Sequence, residues 1–313
     1  MTRKIIIDTD PGQDDAIAIL LALASPEDLD VLGIVAVGGN VGLAQNAKNA
    51  LQVVELSGRT EIPVHAGCGR PMRRVLVTAE HVHGPTGLDG PTLPEPVKTL
   101  EAQHGVDFII DTLRREPAGT VTLCTLGPLT NIGMALVKAP DIAPRIREIV
   151  MMAGAYFEVG NITPAAEFNV YVDPEAADVV LRSGVPITMI PLDVTHGVLS
   201  YQHRVEAFRS IGNKAGDAVA AMIEFSQHFD LEKYESEGAP LHDPCVIAWL
   251  LKPDLFKGRQ INVTVETASE LTLGMTVADY WRITDRPKNV LYLRSADDEG
   301  FYKLLTERLA RLP

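Results

Sequence analysis

The sequence is poor in cysteine and in positive charge, and it has no long hydrophobic run. Its three cysteines, Cys68, Cys124 and Cys245, are odd in number, widely separated and outside CxxC pairs. This arrangement argues against a disulfide framework and against a zinc site. The longest unbroken apolar stretch, residues 16–24, is about half of what a membrane span needs. We therefore expect no membrane span and no structural disulfide.

Basic residues are outnumbered by acidic ones. The chain has 28 Lys and Arg against 41 Asp and Glu, which gives a formal net charge of -13. A field of this sign repels phosphate backbones and anionic lipid surfaces, so we expect neither a nucleic-acid partner nor a membrane partner. We also expect no secretory signal, because only three isoleucines separate Lys4 from Asp8. The expected location is the cytoplasm.

The chain also lacks any stretch that looks like a linker between domains. No segment is rich in Gly and Ser or in Pro, and no internal repeat of solenoid period is present. A chain of 313 residues with 46% hydrophobic content can bury a large core. We expect one domain that covers residues 1–313.

Apolar β-branched runs alternate with segments whose apolar residues recur at helical spacing. The pattern predicts strands at 4–9, 31–37, 63–66, 121–126, 146–152 and 186–192. It predicts helices between them at 14–25, 44–57, 100–115, 129–138 and 174–182. Buried strands separated by helices are typical of parallel βαβ units with helices on both faces of the sheet. The predicted fold is therefore an α/β, doubly wound, mostly parallel sheet of the Rossmann-like kind.

The C-terminal part changes character. Residues 201–251 have a mainly helical pattern, which predicts a helical lid within the same domain. Strands are predicted at 260–267 and 289–294, and a last helix at 297–309. The segment 67–96, rich in Gly and Pro, is the longest predicted loop and contains His81, His83 and Asp89. A loop of this length in a compact domain is usually functional.

Four carboxylates lie within eight residues, from the end of the first predicted strand to the start of the helix that follows: Asp8, Asp10, Asp14 and Asp15. The carboxyl ends of strands in an open α/β sheet form the ligand crevice, so these acids are expected there. Their mutual repulsion would be relieved by a cation. Oxygen ligands without a nearby set of His and Cys favour calcium or magnesium over zinc, and a crowded carboxylate site favours calcium.

Three other interpretations of this loop compete with a crowded carboxylate site for calcium. Asp14 and Asp15 could cap the following helix, which explains two of the acids but not all four. An EF-hand is excluded because Ile19 stands at the twelfth position from Asp8, where a bidentate Glu is required. A magnesium-dependent phosphohydrolase would use Asp8 as nucleophile and Asp10 as acid, although the residues that follow Asp10 depart from that pattern.

The acidic loop is part of a longer resemblance. Residues 8–23, DTDPGQDDAIAILLAL, resemble the signature of the inosine-uridine-preferring nucleoside hydrolase family. Further blocks agree in order: VGGN at 37–40, HGPTGLDG at 83–90, GPLTN at 127–131, GNITP at 160–164, AEFN at 166–169 and HDP at 242–244. The resemblance implies hydrolysis of uridine-, inosine- or cytidine-type ribonucleosides to free base and ribose. It also implies a homo-oligomer, either a dimer or a tetramer.

The resemblance implies a ligand set for calcium: Asp10, Asp15, the backbone carbonyl of Leu126 and Asp243. It implies that ribose hydroxyls are held by Asp14, Asn161, Glu167, Asn169 and Asp243, with Asn40 close to the water and the sugar. Carboxylates and amides suit a diol because they accept hydrogen bonds from neutral donors. Each residue also has a structural alternative. Asn161 could be a turn residue, Asp243 a helix N-cap and Glu167 a surface acid.

Cleavage of a ribosyl C–N bond needs an activated water, stabilisation of a positive sugar ring and protonation of a poor leaving group. We assign Asp10 as general base and His83 and His242 as candidates for leaving-group protonation, with His242 preferred. The role of His196 is left open. The resemblance suggests that Tyr234 stacks on the base, whereas a buried core Tyr is the alternative. Asp230 stands where pyrimidine-preferring relatives are expected to carry Gln, so the preferred base is not assigned. A calcium-stabilised nucleoside-binding protein without catalysis is the remaining alternative.

Overall fold

A nine-stranded sheet forms the centre of the computed structural model, which describes residues 2–234 and 238–313 and all their side chains except those of 229–234. The strands are β1 (Arg3–Thr9), β2 (Leu29–Ala36), β3 (Val64–Ala66), β4 (Val121–Thr125), β5 (Ile146–Met152), β6 (Ile187–Ile190), β7 (Leu199–Ser200), β8 (Ala239–Pro240), β9 (Phe256–Val265), β10 (Thr276–Asp279) and β11 (Val290–Ala296). β7 and β8 pair separately as a small antiparallel ribbon.

The order of the strands in the large sheet is β10-β9-β11-β6-β5-β4-β1-β2-β3. In the part of the sheet from β3 to β11 all neighbouring strands pair parallel, whereas β9 pairs antiparallel with β11 and β10 pairs antiparallel with β9. β1 lies between β2 and β4, so the chain winds in opposite directions from this strand. Ligands of such sheets bind where the order reverses, outside the carboxyl ends of the two central strands.

Helices cover both faces of the sheet. They are α1 (Gln13–Leu23), α2 (Leu43–Leu56), α3 (Glu80–His83), α4 (Gly105–Arg115), α5 (Thr130–Lys138), α6 (Phe168–Val172), α7 (Pro174–Leu181), α8 (Leu192–Thr195), α9 (Gln202–Arg209), α10 (Lys214–Tyr234), α11 (Pro244–Leu251) and α12 (Asp298–Leu309), with short 3-10 helices at Pro140–Arg145 and Pro253–Leu255. Side chains of β1 show the two layers, because Ile5 and Ile7 enter one hydrophobic core and Ile6 the other.

The predicted doubly wound sheet is confirmed. The helix predicted at 100–115 is wrong at its start, because helix α4 begins at Gly105. Instead, Glu101 donates its backbone N–H to Val64 and bridges to His65 of β3, and the Nδ1 atom of His104 accepts a hydrogen bond from the N–H of Val106. This tertiary pairing outweighs the apolar pattern.

Within the described ranges, no helix is both long enough and apolar enough to cross a bilayer.

Candidate active site

One crevice opens at the carboxyl ends of β1 and β4, where the strand order reverses. It brings together residues that the sequence analysis singled out from across the chain: Asp10, Asp14, Asp15, Asn40, His83, Leu126, Asn161, Glu167, Asn169, His242 and Asp243. Ile223 and Ser226 of α10 and Leu241 also line it, so the predicted helical lid contributes to its wall. The predicted stacking residue Tyr234 and the position Asp230 lie outside the side chains that are described.

Asp15 closes the acidic loop onto the start of α1. Its carboxylate accepts hydrogen bonds from Thr9 Oγ1 at 2.5 Å, from the Asp10 N–H at 3.2 Å and from the Gly12 N–H at 3.1 Å. The capping interpretation is thus correct for Asp15, since these N–H groups precede or open the helix. Burial, followed by the charge of Asp14, raises the pKa of Asp15 to about 6.

A cluster of three carboxylates faces this loop. One oxygen each of Asp14, Asp15 and Asp243 lie within 4.8 Å of one another. Asp14 and Asp15 come from the first turn of α1, and Asp243 comes from the residue before α11, which packs on α1. Burial and then the charge of Asp14 raise the pKa of Asp243 well above its usual value. Such crowding of hard oxygen donors is the chemistry of a divalent-cation site.

Asp10 sits beside this cluster in a narrow cradle. Its Oδ2 atom accepts a hydrogen bond of 2.7 Å from the N–H of Asn40, whose side-chain amide donates to the Asp10 carbonyl at 3.0 Å. A β-carbon on Gly39 would overlap Oδ2, and one on Gly127 would overlap Oδ1. Burial and then the charge of Asp15 raise the pKa of Asp10 well above its usual value. The two glycines therefore fix where this carboxylate can lie.

The opposite wall of the crevice contains Asn169. Its side-chain amide donates to the carbonyl of Leu126 at 2.6 Å and to the carbonyl of Met152 at 3.1 Å. It thus ties the ends of β4 and β5 together. The Leu126 carbonyl has a second lone pair, which leaves it able to act as the ligand that the sequence analysis assigned.

Glu167 caps helix α6 from inside this wall. Its carboxylate accepts hydrogen bonds from the N–H groups of Asn169 at 2.8 Å, Gly154 at 2.9 Å and Val170 at 3.2 Å. The alternative of a surface acid is wrong for Glu167, because the residue is only 2% exposed. Burial raises its pKa to about 7. Asn161 also has a structural contact, since its Oδ1 accepts the N–H of Phe168 at 2.9 Å.

Four histidines line the crevice: His81, His83, His196 and His242. His242 Nδ1 lies 2.7 Å from the Thr195 hydroxyl, and its ring centroid lies 5.9 Å from that of His196. Burial, partly offset by the charge of Asp14, lowers the pKa of His242 to about 4. His83 Nδ1 lies 2.6 Å from Oε1 of Gln13. His196, whose role was left open, lines the crevice and lies 3.3 Å from a carboxylate oxygen of Glu158.

Asp8, the first acid of the loop, is separate from this site. It is fully buried, does not line the crevice, and accepts a hydrogen bond of 2.7 Å on Oδ2 from the amide of Asn131. A phosphohydrolase of the aspartate-nucleophile type would need this carboxylate to reach its substrate. Its position therefore argues against that alternative.

Some residues of the site were not anticipated from sequence. Gln13, Gly39, Gly127 and Thr195 contact predicted site residues directly. Both glycines and Gln13 occur inside the sequence blocks that carried the resemblance, and that was the signal that could have identified them. Thr195 has no such signal.

The fold and the crevice together define the class of protein: a doubly wound α/β enzyme with an acidic ligand site at its switch point. Residues 5–303 match the model of the family described as inosine-uridine preferring nucleoside hydrolase, and the chain belongs to this family. The resemblance that the sequence blocks indicated is confirmed. The chain is thus a hydrolase of ribonucleosides that acts on the N-glycosidic bond.

Individual relatives match this chain over nearly their full length. The chain is 48% identical to the pyrimidine-specific ribonucleoside hydrolase RihA of Photobacterium profundum, over 99% of each chain. It is 54% identical to an uncharacterized protein of Schizosaccharomyces pombe, over 99% of this chain and 100% of that one. Among solved structures, a purine-preferring ribonucleoside hydrolase from Gardnerella vaginalis superposes with a TM-score of 0.91 at 34% identity, over 98% of each chain.

Proposed function

We propose that the chain is a calcium-dependent ribonucleoside hydrolase that prefers pyrimidine ribonucleosides such as uridine and cytidine. The observation that carries the proposal is the carboxylate cluster of Asp14, Asp15 and Asp243 beside the buried Asp10. Four acids at one point of a buried crevice are unfavourable without a cation and suit a ligand that is rich in hydroxyl groups.

The donor set fits calcium. Asp10, Asp15 and Asp243 offer carboxylate oxygens and Leu126 offers its carbonyl, and calcium takes many oxygen ligands in flexible arrangements. The pKa values of these carboxyls are raised by burial and by one another, which is the electrostatic state that a divalent cation relieves. When bound, calcium supplies the positive charge that keeps these groups ionised and favours deprotonation of water.

Asp10 is the proposed general base. The Asn40 N–H and the two flanking glycines hold its carboxylate in one place, so that it can take a proton from the attacking water. Asp14, Glu167, Asn161 and Asn169 are proposed to bind the ribose hydroxyls together with Asp243. The negative charge of these carboxylates also stabilises the oxocarbenium character that develops on the sugar ring.

His242 is the proposed proton donor to the leaving base. Its low pKa in the free protein means that the imidazole is neutral at pH 7, so it must gain its proton after the nucleoside binds. The Thr195 hydroxyl allows this change because it can either donate to Nδ1 or accept from it. His242 therefore keeps this hydrogen bond in both protonation states.

The preference for pyrimidines is proposed because the relatives named pyrimidine-specific share 47–48% of residues with this chain, whereas the purine-preferring structure shares 34%. The deciding experiment is a panel of ribonucleosides, 2'-deoxynucleosides and nucleotides assayed for free base. We expect uridine and cytidine to exceed inosine in kcat/KM and 2'-deoxyuridine to lose several orders of magnitude. Phosphate release without base release would favour the phosphohydrolase, and binding without base release would favour a binding protein.

The metal is tested in the same assay. Chelation should abolish base release from uridine, and calcium should restore it better than magnesium. Full activity of the metal-free protein would contradict calcium dependence while leaving the nucleoside hydrolase assignment in place.

We also propose that the protein is a cytoplasmic homo-oligomer, either a dimer or a tetramer. Large hydrophobic side chains on its surface support self-association, since Trp281 is 71% exposed and Ile283 is 85% exposed. Light scattering of the purified protein tests this proposal, and a monomer at micromolar concentration would contradict it.

A further inference from the structure

Gln13, the first residue of α1, connects the acidic loop to the segment that carries His83. It is only 2% exposed. Its Nε2 atom donates to the carbonyl oxygens of His83 and Asp89, both at 3.0 Å, and its Oε1 atom lies 2.6 Å from Nδ1 of His83. The His83 ring packs directly over Gly12, where a β-carbon would overlap it. The ring is therefore held on two sides.

These contacts decide the orientation of the Gln13 amide. The two carbonyl oxygens can only accept hydrogen bonds, so the NH2 group must face them and the amide oxygen must face the histidine. An amide oxygen can only accept as well, so Nδ1 of His83 must carry a proton. A neutral imidazole has a single N–H, which leaves Nε2 without one. Burial lowers the pKa of His83, which favours this neutral form.

We propose that Gln13 is a positioning residue that holds His83 as the Nδ1–H tautomer, so that Nε2 accepts a hydrogen bond from an O–H or N–H group of the bound nucleoside. This inference rests on the proposed function and refines the role of His83 within it. His83 lines the crevice, and no partner for its Nε2 lies among the described side chains. His83 thus recognises a donor on the substrate, whereas His242 supplies the proton to the leaving base.

The two histidines differ in the partner of Nδ1. Thr195 offers His242 a hydroxyl that can reverse its hydrogen bond, so both neutral tautomers are available. Gln13 offers His83 an oxygen whose direction is fixed by two further hydrogen bonds. Because the hydrogen bond to Gln13 fixes the tautomer, Nε2 of His83 can only accept hydrogen bonds. His83 is therefore better suited to selecting among substrates than to gaining and losing a proton in each turnover.

The first test observes the tautomer directly, without catalysis, by 15N NMR of the histidine-labelled protein with His83 assigned by substitution. In the unsubstituted protein we expect a protonated, pyrrole-type Nδ1 and a bare, pyridine-type Nε2. Gln13→Leu should move His83 towards the Nε2–H form. Gln13→Glu retains an acceptor for Nδ1 although it loses both donors, and it should keep the Nδ1–H form. An Nε2–H tautomer in the unsubstituted protein, or an unchanged tautomer in Gln13→Leu, would overturn the proposal.

A matched control separates the tautomer from the anchoring of the loop. Gln52 of α2 also donates its amide to two carbonyls of the long loop, those of Leu93 at 3.4 Å and Pro94 at 2.8 Å, but it contacts no histidine. Gln52→Leu should leave the 15N spectrum of His83 unchanged. If Gln52→Leu shifts the tautomer as much as Gln13→Leu does, loop packing sets the tautomer and the assignment to Gln13 fails.

The second test identifies the donor on the substrate. The kcat/KM for uridine is compared with those for 5'-deoxyuridine, which lacks a sugar hydroxyl, and 3-methyluridine, which lacks the base N–H. We expect kcat/KM to be about fivefold lower for one of the two analogues than for uridine, which corresponds to the loss of one hydrogen bond. For uridine, Gln13→Leu should lower kcat/KM by about the same factor, and for that analogue it should cause no further loss. Gln52→Leu should keep the difference in kcat/KM between uridine and the analogue. Equal use of all three substrates would overturn the acceptor role. If uridine is not cleaved at all, the proposed function fails, yet the tautomer result remains valid.

Discussion

Replacement of Gly39 by alanine should damage catalysis through Asp10 alone. The new β-carbon would overlap Oδ2 of Asp10, the oxygen that accepts the N–H of Asn40 at 2.7 Å. Gly127 closes the other side, so the carboxylate cannot rotate away. Relief of the overlap needs a shift of about 1 Å, and a displacement of this size at a reacting group costs roughly 100-fold in rate.

The assay is base release from uridine at saturating calcium, with a thermal melt to confirm folding. Because the general base acts mainly in the transition state, we expect kcat to fall by about 100-fold while KM changes little. The matched control is Gly69→Ala, whose β-carbon would meet only ordinary contacts with Leu43 at 3.6 and 3.7 Å. A folded Gly39→Ala protein with kcat within about twofold of the parent would refute the assignment of Asp10 as a base that needs this cradle.

Three further substitutions test the chemistry and the buried charge. Asp10→Asn should retain nucleoside affinity but lose more than about tenfold in kcat, and a smaller loss would mean that another group is the base. His242→Ala should slow uridine hydrolysis by about 100- to 10,000-fold and barely affect 4-nitrophenyl riboside, whose leaving group needs no proton; parallel losses on both substrates would exclude the acid role. Asp8→Asn concerns stability, because burial raises the pKa of Asp8 from 3.8 to about 8. A raised folded-state pKa stabilises the fold at low pH, and this contribution is lost as pH rises from about 4 to 8. The amide cannot ionise, so the free energy of unfolding measured by urea melts should rise for the variant relative to the parent across that window, by on the order of 5 kcal/mol at most. A difference between the two proteins that is independent of pH would show that Asp8 stays uncharged or that its charge is compensated.

The long periodic elements of the fold could be predicted from sequence because burial on both faces of a strand leaves a clear apolar run. The strand predicted at 146–152 matches β5 at both ends, and the one at 4–9 misses one residue of β1. The start of α4 was missed because Glu101 pairs with β3, a contact that no local pattern encodes. β10, only four residues long at a sheet edge, gave too short a pattern to predict.

The residue types of the site were predictable for a different reason. The carboxyl ends of parallel strands meet at one edge, so acids and amides placed after β1, β2 and β5 had to converge. The contact of Gln13 with His83 could not be predicted, because it joins residues 70 positions apart through a loop with little regular structure. The Thr195 contact with His242 depends on the docking of a four-residue helix, α8, which has no sequence signature.

The position of Asp243 has a consequence for how the chain folds. Asp14 and Asp15 belong to the first helix, whereas their third partner stands before α11, in the last third of the chain. The central strands can therefore assemble while the first two acids still face water, and the full repulsion arises only when α11 docks against α1. In refolding experiments, divalent cations should accelerate this late docking step and leave the earlier formation of the sheet unchanged.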